Sequence, residues 1–213
     1  MLMGTQIRIS ECYDVQSGAV LSRYLEKDSR VVTPYKYKKL SLAAIDALGS
    51  VDDSQNEICY ARSEFGSQSL TQEGDIVLKS MPPYTAFKVD KKELEGLLLS
   101  SNFFVFRLKS PTLSQIFDPD YLFWVLSSPA RLESCCMPGD RFKRLRAGKL
   151  EKLALEAPEI EKQRLIGRLY VLRIRQLVER QRYIQMLKGF YLEELTAMDE
   201  LAAGGEKGGN GHE

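Results

Sequence analysis

The feature that most constrains this chain is an amphipathic helical pattern that begins after Pro158 and runs to about residue 201. Glu159 and Glu161 fall in its first turn, where negative charge suits the helix dipole. Apolar residues then recur at alternating spacings of four and three: Tyr170, Ile174, Leu177, Ile184, Tyr191, Leu195 and Met198, with Leu187 beside them. A second seam holds Ile166, Leu169, Tyr183, Leu187, Phe190 and Leu201. Such spacing is that of a coiled coil and asks for a partner helix. At 1.5 Å per residue the helix is roughly 60 Å long, against a radius of gyration of ~15 Å for a domain of this size. Its own domain cannot cover the stripe, and a symmetric dimer is the simplest source of cover. The first half is basic (Lys162, Arg164, Arg168, Arg173, Arg175, Arg180, Arg182) and the second acidic (Glu193, Glu194, Asp199, Glu200). An antiparallel pair would set opposite charges against each other. The plainer reading is that these charges solvate an exposed face.

The rest of the chain divides around this helix. Residues 1–155 mix short apolar runs with turn residues and read as an α+β domain. Residues 156–201 are the long helix, and 202–213 (AAGGEKGGNGHE) read as a disordered Gly-rich tail. Gly74-Asp75 is a turn signal before the β-prone Ile76-Val77-Leu78, and Pro82-Pro83 forces a loop. Phe103-Phe104-Val105-Phe106 is a second strand. Tyr121–Leu126, entered through Asp118-Pro119, reads as a short buried helix, with a central strand as the alternative.

Several classes of chemistry are disfavoured. The single histidine, His212, lies in the Gly-rich tail, so an ordered catalytic imidazole is missing. There is no GxxxxGK[ST] or GxGxxG loop for phosphates. Cys12, Cys59, Cys135 and Cys136 lack ligand spacing and read as free thiols of a reducing cytoplasm. No cofactor is implied. The start of the chain does not read as a signal peptide, and no apolar run is long enough for a membrane span. Asp75 with Lys79 faintly echoes a metal nuclease, but no second acid is placed to join them, and the turn reading of Asp75 is preferred.

The net charge is only +1, so nucleic-acid binding has to be judged from where charge clusters. The densest cluster is Arg141, Lys143, Arg144, Arg146 and Lys149 in RFKRLRAGKL, with Phe142 and Leu145 placed to anchor it to the core. Phosphate neutralisation needs such a cluster. Further candidates are Lys36, Lys38 and Lys39 beside Tyr35 and Tyr37, then Lys79, Ser80, Tyr84 and Thr85 around the proline turn, and Arg23 with Tyr24. Each patch could equally be ordinary solvated surface.

Segments in one order carry a family resemblance. LTQEGDIVL, from Leu70 to Leu78, is similar to the L-x-x-x-G-D-[IV] element of Type I restriction-modification specificity subunits. Pro82–Ala86 resembles a P-x-T-A variant in that family, and Leu99–Arg107 resembles the strand S-x-x-x-x-V-I-R. Asp118–Pro129 looks like the helix P-x-Y-L-x-x-x-L-x-S. Pro158, Glu161, Gln163 and Ile166, after Leu150–Leu153, resemble the P-x-x-E-Q join between recognition domain and helix. The resemblance implies an α/β target-recognition domain that reads half of a bipartite site in double-stranded DNA, with long helices as a spacer. It implies no catalysis: methyl transfer belongs to a modification methyltransferase subunit, and translocation to a restriction subunit where one is present. The family's full-length subunit holds two such units and this chain holds one, so the resemblance implies a half-subunit that forms a homodimer or pairs with another half. The alternative is a coiled-coil adaptor or regulator of a modification complex with no DNA affinity of its own.

Overall fold

The computed structural model describes residues 5–26, 33–136 and 139–205. The chain divides into two units, Met1–Leu172 and Arg173–Glu213. The elements run β1 (Thr5–Arg8), α1 (Ile9–Cys12), β2 (Tyr13–Ser17), β3 (Tyr35–Lys39), β4 (Glu57–Ala61), β5 (Ile76–Lys79), β6 (Ala86–Lys88), β7 (Leu97–Leu98) and β8 (Phe103–Leu108). They continue with α2 (Pro119–Leu126), α3 (Pro129–Leu132), α4 (Ala147–Glu151), β9 (Ala154–Ala157) and α5 (Ile160–Gly205). The α+β class expected from the sequence is what the chain adopts. Helix α5 includes residues 202–205 of the segment read as a tail; residues 206–213 lie outside the described residues.

The centre of the first unit is a four-stranded sheet in the order β2-β8-β5-β6, antiparallel throughout. Ile76 faces Phe106, Val77 faces Val105 and Leu78 faces Phe104 across the β5–β8 ladder. Both faces of this sheet are covered, which explains why FFVF and IVL are apolar at every position instead of alternating. On one face Ile76, Leu78, Phe104 and Phe106 pack with Phe117, Leu122, Phe123 and Leu126 around α2. On the other, Val77, Phe103 and Val105 pack with Leu40, Ile45, Leu97 and Leu99, next to a three-stranded sheet in the order β4-β3-β7. A two-stranded sheet, β1-β9, closes the unit where the chain enters α5.

The turn before β5 is built by charge as well as by glycine. Gly74 takes φ +83°, a region that favours glycine. The next residue, Asp75, is fully buried. Its carboxylate accepts from Arg107 Nε at 2.8 Å, from Arg107 Nη2 at 2.7 Å and from the Gln72 amide at 2.8 Å, so the end of β8 is tied to the start of β5.

Helix α2 begins as its cap residues dictate: Asp118 accepts from the Tyr121 amide at 2.9 Å and Pro119 follows. The same junction holds the start of α5. Gln163, almost fully buried, accepts from the Asp118 amide at 3.0 Å and donates to the Pro158 carbonyl at 2.8 Å. Gly167 lets α5 touch the α2 backbone: a Cβ there would lie 2.6 Å from Asp120 C and Tyr121 N. We therefore expect Gly167→Ala to lower stability by about 1–3 kcal/mol, the cost of overpacking a contact that cannot yield. Alanine's helix propensity, better by ~1 kcal/mol, acts the other way. Thermal denaturation reads the sign, and a raised midpoint would contradict the close approach.

Candidate nucleic-acid interface

Antiparallel pairing brings the C-terminal ends of β2 and β5 and the N-terminal ends of β8 and β6 to one edge of the central sheet. Four connections emerge there. The segment after β2 runs through a turn of 3-10 helix at Leu21–Arg23. The turn between β5 and β6 carries Ser80 to Thr85, and residues 99–102 lead into β8. A fourth segment, Asp140 to Arg146, is docked onto this edge: the Leu145 amide donates to the Ser80 carbonyl at 2.9 Å, and Arg144 Nη2 donates to the Ser101 carbonyl at 2.6 Å. The β2 segment lies close against the β8 entry, since a Cβ on Gly18 would sit 2.2 Å from the Ser100 carbonyl oxygen. Regions far apart in sequence, around Arg23, Lys79, Tyr84 and Arg141, thus share one rim.

The candidate residues, those of the rim and those of β3 in the three-stranded sheet, divide by burial. Arg141 and Lys143 are exposed, as is Lys36 on β3, and among the described residues none of the three makes a side-chain hydrogen bond or ion pair. Arg23 and Tyr24 are also exposed; the Arg23 carbonyl accepts from Arg62 at 2.7 Å, and Tyr24 meets Phe65 edge-on at 5.5 Å. Lys38 and Lys39 have protein partners instead: Lys38 is hydrogen-bonded to Asp53, and Lys39 lies 2.6 Å from Glu57. Those bonds hold the carboxyl groups of Asp53 and Glu57 below their ordinary values. Arg146 is exposed and sits 3.9 Å from Asp140. Lys149 donates to the carbonyls of Cys136 and Ser134.

Four residues expected to meet DNA serve the protein's own structure. Ser80 is wholly buried and Thr85 nearly so, with Thr85 Oγ1 donating to the Pro83 carbonyl at 3.4 Å. Tyr84 is buried too: its hydroxyl donates to the Lys143 carbonyl and lies 3.1 Å from Cys136 Sγ. Burial raises the Tyr84 phenol above its ordinary value, so it stays a neutral donor. Lys79 spends its ammonium on the Ile45 carbonyl at 2.8 Å, and burial lowers its pKa. A side chain closed off from solvent, as those of Ser80, Tyr84 and Thr85 are, cannot reach a phosphate, whereas the half-buried Lys79 has one of its three donors engaged. These residues shape the rim from beneath.

The structure also corrects the reading of Phe142 as an anchor. Leu145 does anchor the basic segment, at 1% exposure, whereas Phe142 stands 69% exposed. Sequence alone does not single out the segment after β4. Glu64 and Gln68 there, with Arg23 and Tyr24, line a cleft of about 270 Å³ on the rim. The polar, Gly-containing stretch SEFGSQS was the available signal, but it reads as an ordinary loop.

The nuclease reading finds no support in the geometry. Asp75 is held by both nitrogens of Arg107 and by the Gln72 amide, and Lys79 donates to the Ile45 carbonyl instead of to an acid. Among the described residues no group of acids, cysteines or histidines is arranged to hold a metal. Nor is any described helix long and apolar enough to cross a membrane.

On α5 the proposed seam divides as well. Tyr170 is not free for a partner helix: it packs edge-on against Phe123 at 5.2 Å, and Ile166 and Val171 pack on the same core. In the second unit, Ile174, Leu177 and Leu187 are half-buried, while Ile184, Tyr191, Leu195 and Met198 are exposed. Tyr183, Met186, Phe190 and Leu192 are exposed beside them.

The first unit and α5 thus define an α+β domain with a basic rim, followed by a long helix that carries uncovered apolar residues. No protein-family model matches the chain, and no curated protein matches it in sequence. Solved structures do match its fold. One is a chain of a type I R-M system, from work on that system's complex assembly and conformational transition, with a TM-score of 0.58 and 17% identity over 93% of this chain and 49% of the other. A second is the HsdS subunit from Thermoanaerobacter tengcongensis, with a TM-score of 0.54 and 16% identity over 92% of this chain and 47% of that one. A third is the Type I restriction-modification S subunit from M. genitalium, with a TM-score of 0.53 and 15% identity over 92% and 46%. The chain spans about half the length of these proteins and shares their fold.

Proposed function

We propose that this chain is a non-catalytic DNA-recognition subunit, a half-length counterpart of the S subunits whose fold it shares, which directs a partner methyltransferase to a bipartite site. The observation that carries the reading is the convergence on one edge of the central sheet of Arg141 and Lys143, unpaired among the described residues, with exposed Arg23. Such a rim would neutralise phosphates and set register, and the polar groups of the neighbouring cleft, Gln68 and Glu64 among them, are the candidates to read base edges. Catalysis is left to the partner, and a restriction subunit joins where one exists. The exposed apolar residues of α5 call for a second helix, and the basic-to-acidic run along α5 favours an antiparallel second copy. A two-fold dimer of reading domains specifies an interrupted palindrome. The same apolar residues would also serve an adaptor that binds only protein. The two readings separate on one property: affinity for mixed-sequence duplex DNA that falls steeply with salt supports recognition, and its absence supports the adaptor.

A further inference from the structure

We propose that Phe142 is a wedge that enters a base step of the bound duplex while Arg141 and Lys143 hold the phosphates beside it; this rests on the DNA-reading role above. Among the exposed large apolar side chains of the described residues, Phe142 is the most exposed, at 69%. It is exposed because the turn is built to present it. Asp140 Oδ1 accepts from the Phe142 amide at 2.9 Å, Asp140 Oδ2 from the Arg144 amide at 3.3 Å, and the Asp140 carbonyl from the Lys143 amide at 3.1 Å. Lys143 then takes φ +48°, a left-handed conformation that side chains other than glycine rarely adopt. Its carbonyl is held by Tyr84 and, at 3.2 Å, by Cys136 Sγ.

The consequence is a tip braced by hydrogen bonds at its base. Leu145 is sunk in the core while Phe142 is exposed, flanked by Arg141 and Lys143, which are unpaired among the described residues. A loop that needed its phenylalanine for stability would bury it. A loop that inserts it into a partner gains from being held in advance, because no ordering cost falls on binding. An apolar ring between cations matches a wedge that unstacks a base step and kinks the helix while its neighbours neutralise phosphate.

The test uses the full chain with Trp124→Phe and Phe142→Trp, so that one tryptophan reports from the tip. Saturating mixed-sequence duplex should quench its emission and shield it from a soluble quencher. Phe142→Ala should weaken duplex binding roughly ten-fold at every salt concentration without changing the salt slope, since the lost contact is stacking and not charge. Closed circular DNA relaxed by topoisomerase in the presence of the unaltered chain should emerge underwound, and with Phe142→Ala it should not. If the duplex binds with steep salt dependence but the tryptophan is silent or the linking number unchanged, the wedge is wrong and DNA recognition stands. A response to anionic phospholipid vesicles and none to duplex would replace the wedge with a membrane contact. If the unaltered chain has no affinity for duplex, wedge and recognition role fall together.

Discussion

Asp75→Ala should destabilise the first unit by about 3–5 kcal/mol, the usual cost of removing one partner from a buried ion pair. The carboxylate is wholly inaccessible, and it receives both nitrogens of Arg107 together with the Gln72 amide. Removing it leaves a largely buried guanidinium with only the carbonyls of Leu70 and Ser67 as partners, at 3.0 and 3.5 Å. It also frees the end of β8 from the turn that starts β5, and these two strands form the middle of the central sheet. Replacing both members by apolar residues, Asp75→Val with Arg107→Met, should recover part of the loss, because no uncompensated charge then remains, while the Gln72 amide still lacks its acceptor. Denaturant unfolding of the two single variants and the double variant measures this as a coupling energy. A loss under about 1 kcal/mol for Asp75→Ala, the range of exposed pairs, would show that the pair contributes no more than a surface contact.

The second large effect is on binding. Reversing charge at Lys36, Arg141 and Lys143 together should reduce affinity for duplex DNA on the order of a hundredfold or more at moderate salt. It should also make the slope of log affinity against log salt shallower by about 3, since each lost phosphate contact removes roughly 0.9. These positions are chosen because they are exposed and unpaired among the described residues, so the fold does not depend on them. Arg144 belongs to the same run of charge, yet its guanidinium is fastened to Ser101, and its reversal would disturb the rim itself. Lys38 and Lys39 are matched by Asp53 and Glu57, so reversing them would break those pairs as well. An unchanged slope in the triple variant, with the fold intact by circular dichroism, would remove these three cations from the interface.

Local signals made part of the fold legible. Strands β5 and β8 were visible because both faces are covered and their sequences are apolar at every position. Helix α2 was visible because Asp118 and Pro119 mark its start. Helix α5 was visible from its spacing and length. Strands β1 to β4 were missed: each is four or five residues long, and β3, YKYKK, shows only its charge. Its alternation makes sense only beside β4, where Lys36 faces Tyr60 and Lys38 faces Ile58. The Asp75 turn was correctly read, but the partner that gives its carboxylate a role lies 32 residues away and leaves no local trace.

The rim was legible as a set of charged segments and not as an inventory of contacts. Basic runs in sequence do not reveal which members the protein uses internally. Tyr84, Thr85 and Ser80 are buried because the segment ending in Leu145 closes over the β5–β6 turn, a pairing across some 60 residues of chain, as the separation of Tyr84 and Lys143 shows. Tyr170 fits the coiled-coil spacing as well as any other position on α5, yet Phe123 covers it. Spacing identifies an apolar stripe, and only the folded domain determines how much of that stripe is left over.

In the proposed role this chain chooses the sequence on which a partner acts. The most direct measurement is to co-express it with a Type I modification methyltransferase subunit with which it co-purifies, in a host lacking adenine methylation, and to map methylated adenines across the genome. Methylation should be confined to one interrupted palindrome and be lost when Lys36, Arg141 and Lys143 are reversed. A stable co-purifying complex that leaves the genome unmethylated would contradict that role.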